Sequence, residues 1–428
     1  MKKILFFVVL CFLVLCIAGC SKIKEEKADK KVIIRWSGYA FPEYDKFRYE
    51  QSAMFEKSHP GVKVKYEPIP SNFTSKILTQ LAAGNAPDVF FVSPYVYYDF
   101  IKKGVLADLT DFMKEDKAFF DEYCPVLMEV VEYKGRKFGI VANSGFYVLY
   151  FNKDIFDAMQ IPYPTNNMAL EDVVEIAKKL TVHGSGGKVR QYGLICYVPW
   201  IQLGILYGGT LWSEDGKVCN INTEPFKKGI MWTRDIYAVH KVAPLPQELM
   251  NMGYREQFIA GRAAMYMGHT WEIATFKIQK RSSNKFNWSL VMLPVPKGGN
   301  RAYIYGGNIL GVSSKTRHKK LAYEFVKFMC EPERIKFLIE VGDSVPVRPK
   351  GLEMDALMNS PVHTKEVAVN IREALDYTIP ESVTFSDSVN ADEFNNIVSE
   401  GLDRYFILGQ DIDGTLNDVE NNIRSIIK

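Results

Sequence analysis

Few residue sets in this chain have the types and spacing to make or break covalent bonds. The most suggestive is Asp411-Ile412-Asp413-Gly414-Thr415-Leu416, which matches the nucleophile motif of haloacid-dehalogenase-like phosphatases. That nucleophile must leave a strand and be followed by a whole catalytic domain. Only a short stretch to Lys428 follows here, so the match is expected to be accidental. No GxSxG, HExxH, P-loop or GxGxxG run occurs, and Gly306 to Gly311 has the wrong spacing for the last. The histidines at 59, 183, 240, 269, 318 and 363 are scattered, so no metal site is expected, and no cofactor. Cys124, Cys196, Cys219 and Cys330 lack CxxC spacing and permit three pairings. Free, mostly buried thiols are expected, because a domain this large needs no staples. A glycosidase would need two carboxylates facing each other across the bond, which a single sequence leaves open.

Cys20 carries chemistry of another kind. Met1-Lys2-Lys3 is a positive start, and Ile4 to Ala18 is an unbroken apolar run ending in Ile17-Ala18-Gly19-Cys20. The run is shorter than the roughly 20 residues of a membrane-spanning helix and reads as an export signal. Small residues before a cysteine suit a bacterial lipoprotein: residues 1–19 are removed and Cys20 is lipidated. Residues 20–31 are then a charged tether, with Lys22, Lys24, Glu25, Glu26, Lys27, Asp29, Lys30 and Lys31 all unfit for burial.

The elements that position the remaining candidates alternate. Val32 to Trp36 reads as a strand, followed by a helix carrying Phe47, Met54 and Phe55 up to His59-Pro60-Gly61. Val62, Val64 and Tyr66 alternate as a second strand. A helix with Phe73, Ile77, Leu78 and Leu81 on one face starts at Ser71 or Asn72, and Asp88 to Val92 is a third strand. This order predicts an α/β fold with a mostly parallel sheet wrapped by helices and a crevice at the carboxyl ends of the strands. Glu171 to Leu180 and Lys319 to Met329 read as further amphipathic helices. The 428 residues carry 53 Lys plus Arg against 50 Asp plus Glu, which excludes the basic excess of a nucleic-acid binder. Aromatics are plentiful, with 27 Phe, 23 Tyr and 6 Trp, more than an average core requires.

Seven pieces in order carry a resemblance. They are Ile34-Arg35-Trp36; Leu81 to Val89 (LAAGNAPDV); Lys103-Gly104-Val105-Leu106; Tyr133 to Ile140 (YKGRKFGI); Leu149 to Asp154 (LYFNKD); Phe258 to Met265 (FIAGRAAM) leading to Gly268 and Trp271; and Gly306-Gly307-Asn308 leading to Ser314-Lys315. The chain resembles the extracellular solute-binding proteins of ATP-binding-cassette sugar importers, the family that includes maltose-type binding proteins. One departure is Val141-Ala142, where that family usually has a proline. The resemblance implies a two-lobed periplasmic-binding-protein-like fold of type II, joined by hinge crossovers near Val141, Ile304 and Glu340. Lobe 1 is then 32–141 plus 305–340, and lobe 2 is 142–304 plus 341–428. It also implies a carbohydrate ligand, importer permease subunits as partners, and a monomer anchored to the bacterial cell membrane.

A pyranose presents apolar C–H faces and a rim of hydroxyls, so its pocket needs flat aromatic platforms and short polar side chains. The candidates near strand ends and crossovers are Trp36, Tyr39, Asn72, Asp88, Tyr95, Asn143, Tyr147, Trp200, Trp271 and Asn308, with Phe146 and Tyr305 beside them. Trp271 and Trp36 lead. Asp88 has an alternative role in capping the turn after Pro87, and Arg348 is expected to be solvated. A surface sensor or adhesin built on the same lobes is the other reading that the sequence supports.

Overall fold

The structure, a computed structural model, describes residues 31–279 and 287–427. The signal segment 1–19, Cys20 and the tether up to Lys30 lie outside the described residues. β1 (Val32–Ser37), β2 (Val62–Tyr66) and β3 (Val89–Val92) alternate with helices, and a small hairpin of β4 (Glu132–Tyr133) and β5 (Arg136–Lys137) precedes β6 (Gly139–Val141). The chain then builds β7 (Tyr147–Asn152), β8 (Val182–His183), β9 (Val189–Cys196), β10 (Ala263–His269) and β11 (Trp288–Met292). β12 (Tyr303–Tyr305), β13 (Ile309–Val312) and β14 (Thr378–Pro380) follow.

Two five-stranded sheets result, ordered β2-β1-β3-β13-β6 and β11-β7-β10-β9-β8, with β12 and β14 paired separately. The expectation of mostly parallel sheets needs correcting. β1 runs parallel to β2 and β3, and β10 to β9, but β13 is antiparallel to both neighbours and β7 to both of its own. The physical reason is connectivity: β13 enters the first sheet from the far lobe and so arrives from the opposite direction to a helix-linked strand. Central strands are buried on both faces and read as continuous apolar runs, such as Val89-Phe90-Phe91-Val92 and Tyr147 to Phe151.

The helices fall where periodicity places them, at Pro42–Ser58, Phe73–Ala82, Leu170–Leu180 and Lys319–Met329. The phosphatase-like run forms the first turn of the last helix, Ile412–Ile426, with the Asp411 carboxylate accepting from the Gly414 amide as an N-cap. Cys124, Cys196, Cys219 and Cys330 are free; Cys219 and Cys330 are buried and the other two partly so.

Apolar packing is continuous from the first sheet through the crossing segments (Ala142, Phe146, Tyr305, Val345) into the second. The crossings are laced together by hydrogen bonds. The amide of Ala142 donates to the Asn308 carbonyl at 2.9 Å, that of Gly145 to Gly306 at 3.0 Å, and that of Val345 to Ser144 at 3.0 Å. A further contact joins the two parts away from the crossings: Asn390 Nδ2 and the Ala391 amide each donate to Asp99 Oδ2 at 3.1 Å.

Candidate functional site

A cleft of about 330 Å³ lies where the two sheets meet. Its walls come from both lobes: Ser93 and Tyr95 follow β3, Tyr147 opens β7, and Trp271 follows β10. Its floor is the laced crossings, Asn143 to Gly145 and Gly306 to Asn308. A smaller recess shares Pro94, Tyr95, Ile201 and Thr384 with it.

Trp271 is 42% exposed, and its ring stacks on His269 with centroids 3.3 Å apart and planes 19° apart. One face is thereby fixed and the other is left toward the cleft, where it can serve as a platform. Beneath it, His269 is buried; desolvation pulls its pKa well below the usual imidazole range, so the ring is neutral. Tyr147 meets His269 edge-on at 5.0 Å. Trp200 opens the helix Trp200–Leu206 and leans edge-on against Phe226 at 5.8 Å. Tyr95 opens the helix Pro94–Lys102 and is 48% exposed.

The polar groups are short and mostly uncharged. Asn143 Oδ1 accepts from the Asn308 amide at 3.0 Å and from its Nδ2 at 3.2 Å, and Asn143 Nδ2 approaches Asp343 Oδ2 at 3.4 Å. Burial raises the Asp343 carboxyl to about 6, against the opposing pull of Arg48 and of bonds from Asn143 and Tyr44. It raises Glu381 to about 8 with no compensating neighbour. No lysine or arginine lines the cleft among the described residues. Nor does any group of three or more His, Cys, Asp or Glu have the geometry for a metal ion among them.

Of the residues singled out from the sequence, the structure brings Tyr95, Asn143, Tyr147, Trp200, Trp271 and Asn308 together at this cleft. It places the others elsewhere. Trp36 is fully buried in the first lobe, packed on Tyr66 and Phe325, with its Nε1 donating to Ser52 Oγ at 3.0 Å. Tyr39 packs on Phe73 at 4.4 Å, away from the cleft wall. Asn72 is an exposed left-handed residue before the helix Phe73–Ala82, and its side chain makes no cap bond. Asp88 closes a turn, accepting from the Arg35 amide at 2.9 Å and from Thr316 Oγ1 at 2.6 Å. Phe146 and Tyr305 are fully buried at the crossings. Arg348 is not solvated: it is 2% exposed and bonds Glu353 at 2.6 Å.

Sequence reasoning missed His269, Asp343, Glu381, Thr384 and Asn395, all of which line the cleft. Asp343 follows closely on the crossover expected near Glu340, so it was within reach. Glu381 sits in a short turn without periodicity, and nothing local marks it.

Two sheet-bearing α/β lobes with a ligand-sized cleft over laced crossings define a two-lobed binding protein. Residues 40–334 match the model of the family described as bacterial extracellular solute-binding protein, and the chain belongs to that family. Its members are extracytoplasmic. Similar curated proteins include the arabinooligosaccharide-binding protein of Bacillus subtilis, 23% identical over 77% of this chain and 76% of that one, and the multiple sugar-binding protein of Streptococcus mutans, 24% identical over 81% and 82%. Among solved structures, an ABC substrate-binding protein of Listeria monocytogenes in complex with cycloalternan has the same fold. It superposes with a TM-score of 0.79 at 24% identity, covering 92% of this chain and 98% of its own.

Proposed function

We propose that the chain binds a carbohydrate between its lobes and delivers it to the permease of an ATP-binding-cassette importer, with no covalent chemistry. The observation that carries this reading is the Trp271 platform facing a cleft whose polar lining is amide, hydroxyl and carboxyl. Such a surface suits the apolar faces and hydroxyl rim of a sugar ring. Similar proteins named for binding arabino-oligosaccharides, multiple sugars and maltodextrin support the same ligand class. The working division is 32–141 with 305–340 against 142–304 with 341–428. Ligand touching both parts favours the closed form, and the permease reads that shape. Cys20 anchors a monomer to the outer side of the cell membrane through its lipid, and neither cofactor nor nucleic acid takes part.

A thermal-shift screen of mono- and oligosaccharides, followed by solution scattering, tests this. A true ligand should compact the particle and stabilise it by about 2.7 kcal/mol at a hundredfold excess over Kd. If no sugar shifts the melting temperature, the carbohydrate reading fails. If a tight sugar leaves the scattering profile unchanged, hinge closure fails.

A further inference from the structure

Glu381 has a chemistry that sugar stacking leaves unused. It opens the short 3-10 turn Glu381–Thr384 directly after β14 and lines the cleft. Its carboxyl group fills the space that a side chain at Gly306 would take: a Cβ there would fall 1.7 Å from Oε2. Among the described residues no donor reaches either carboxylate oxygen.

The ionisable groups facing Glu381 are Tyr95, from the helix Pro94–Lys102, and Tyr147, from β7; its charge pushes the pKa of both hydroxyls further up. His269 and Asp343 share the cleft. His269 is neutral by burial, and Asp343 has its own partners in Asn143, Tyr44 and the field of Arg48. Glu381 therefore lacks both a donor and a countercharge.

A partly buried carboxyl in that condition is costly to ionise until something supplies what it lacks. A sugar hydroxyl supplies a donor. A protonated amine supplies a donor and a countercharge together. A carboxylate or phosphate supplies no countercharge and adds repulsion as Glu381 ionises.

We infer that Glu381 sets the charge selectivity of the cleft, ranking sugars that carry a protonated amine above their neutral counterparts and both above sugars that carry a carboxylate or phosphate. The inference rests on the carbohydrate reading of the cleft. At neutral pH the carboxyl is protonated in the empty protein, since burial holds it up to about 8. Binding an ammonium group then expels that proton to the buffer, whereas binding a neutral sugar leaves it in place.

The test is titration calorimetry on the full mature protein with matched trios of mono- and disaccharides in the gluco, galacto and manno series. Members of a trio differ only in a hydroxyl, an amine or a carboxylate at one position. In trios whose neutral member binds, the amine should bind about tenfold tighter and the acid about tenfold weaker, a modest share of what a close charge pair provides. Amine binding at pH 7 should release a proton, read from buffers of different ionisation enthalpy. The near-isosteric Glu381→Gln should fold, level the affinity ratios within each trio whatever its affinity for the neutral member, and abolish proton release. Neutral sugars that bind with no charge ranking, or a ranking that survives Glu381→Gln, would overturn the inference alone. If no member of any trio binds, the carbohydrate reading falls with it.

Discussion

The side-chain oxygen of Asn143 accepts two hydrogen bonds from Asn308, one from its amide at 3.0 Å and one from its Nδ2 at 3.2 Å. These residues stand 165 positions apart and sit on two different crossings between the lobes. Both also line the cleft, so cleft and crossings share the same side chains.

The close approach depends on Gly307, where a Cβ would fall 1.8 Å from the Asn143 carbonyl oxygen. Gly307→Ala should push the crossings apart and cost about 1–3 kcal/mol, as overpacking does. Thermal melting and scattering of the empty protein measure both effects. An unchanged melting temperature would mean that the crossings are loosely held.

Trp271→Ala should lose about 2 kcal/mol or more of carbohydrate binding, as anchoring aromatics do. Trp271→Phe should lose less, because a platform remains. With the ring 42% exposed, stability of the empty protein should change far less than the ~3–5 kcal/mol of a core tryptophan. A large drop in stability with unaltered affinity would remove Trp271 from the site.

Burial raises Asp343 from 3.8 to about 6 and Glu381 from 4.5 to about 8. Folding therefore tightens the hold on these protons. Their penalty is absent below the unfolded values and grows as pH rises, until each folded value is passed. The contribution of these two groups to melting temperature should thus fall between pH values of about 4 and 8, less so in Glu381→Gln, while Asp343→Asn flattens the acidic part. A Glu381→Gln profile parallel to the parent's would contradict this account.

Arg348 and Glu353 form an ion pair whose side chains are 3% and 0% exposed. Glu353 Oε2 also accepts the amides of Val347 at 2.8 Å and Arg348 at 3.0 Å. Breaking such a pair leaves the buried Arg348 with only the more distant, exposed Glu122 carboxylate at 3.7 Å as a countercharge, so Glu353→Gln should cost about 3 kcal/mol in denaturant unfolding. Loss of ligand affinity without loss of stability would point instead to a binding role.

Two acyl chains suffice for stable membrane attachment. Cys20→Ser should accordingly appear in the medium, or remain unprocessed, when cells are fractionated. Unchanged membrane partition would exclude lipidation at this cysteine.

Strand and helix positions in the first lobe were legible because their apolar periods are clean. The side to which a residue points was harder to read. Trp36 lies near the carboxyl end of β1, yet Ile34 and Trp36 share a face and pair in register with Val64 and Tyr66, which are also buried. Strand parity, applied strictly, assigns Trp36 to the core. Aromatics at crossings divided in the same way: Tyr147 reaches the cleft, whereas neighbouring Phe146 is fully buried. Glu381 was beyond reach because its position depends on β14 pairing with β12, a contact between distant segments.

The place of β13 has a consequence for how the chain acquires its fold. The strand lies between β3 and β6, which are both complete by Val141, yet its own residues begin at Ile309. During synthesis the first sheet therefore has a gap until all five strands of the second sheet have been made. High sequence separation of this kind slows folding, and a gapped sheet offers two unpaired strand edges in the meantime. A nascent chain of this topology cannot close its first sheet before Val312 has been made, because its own wiring withholds the strand that joins β3 to β6.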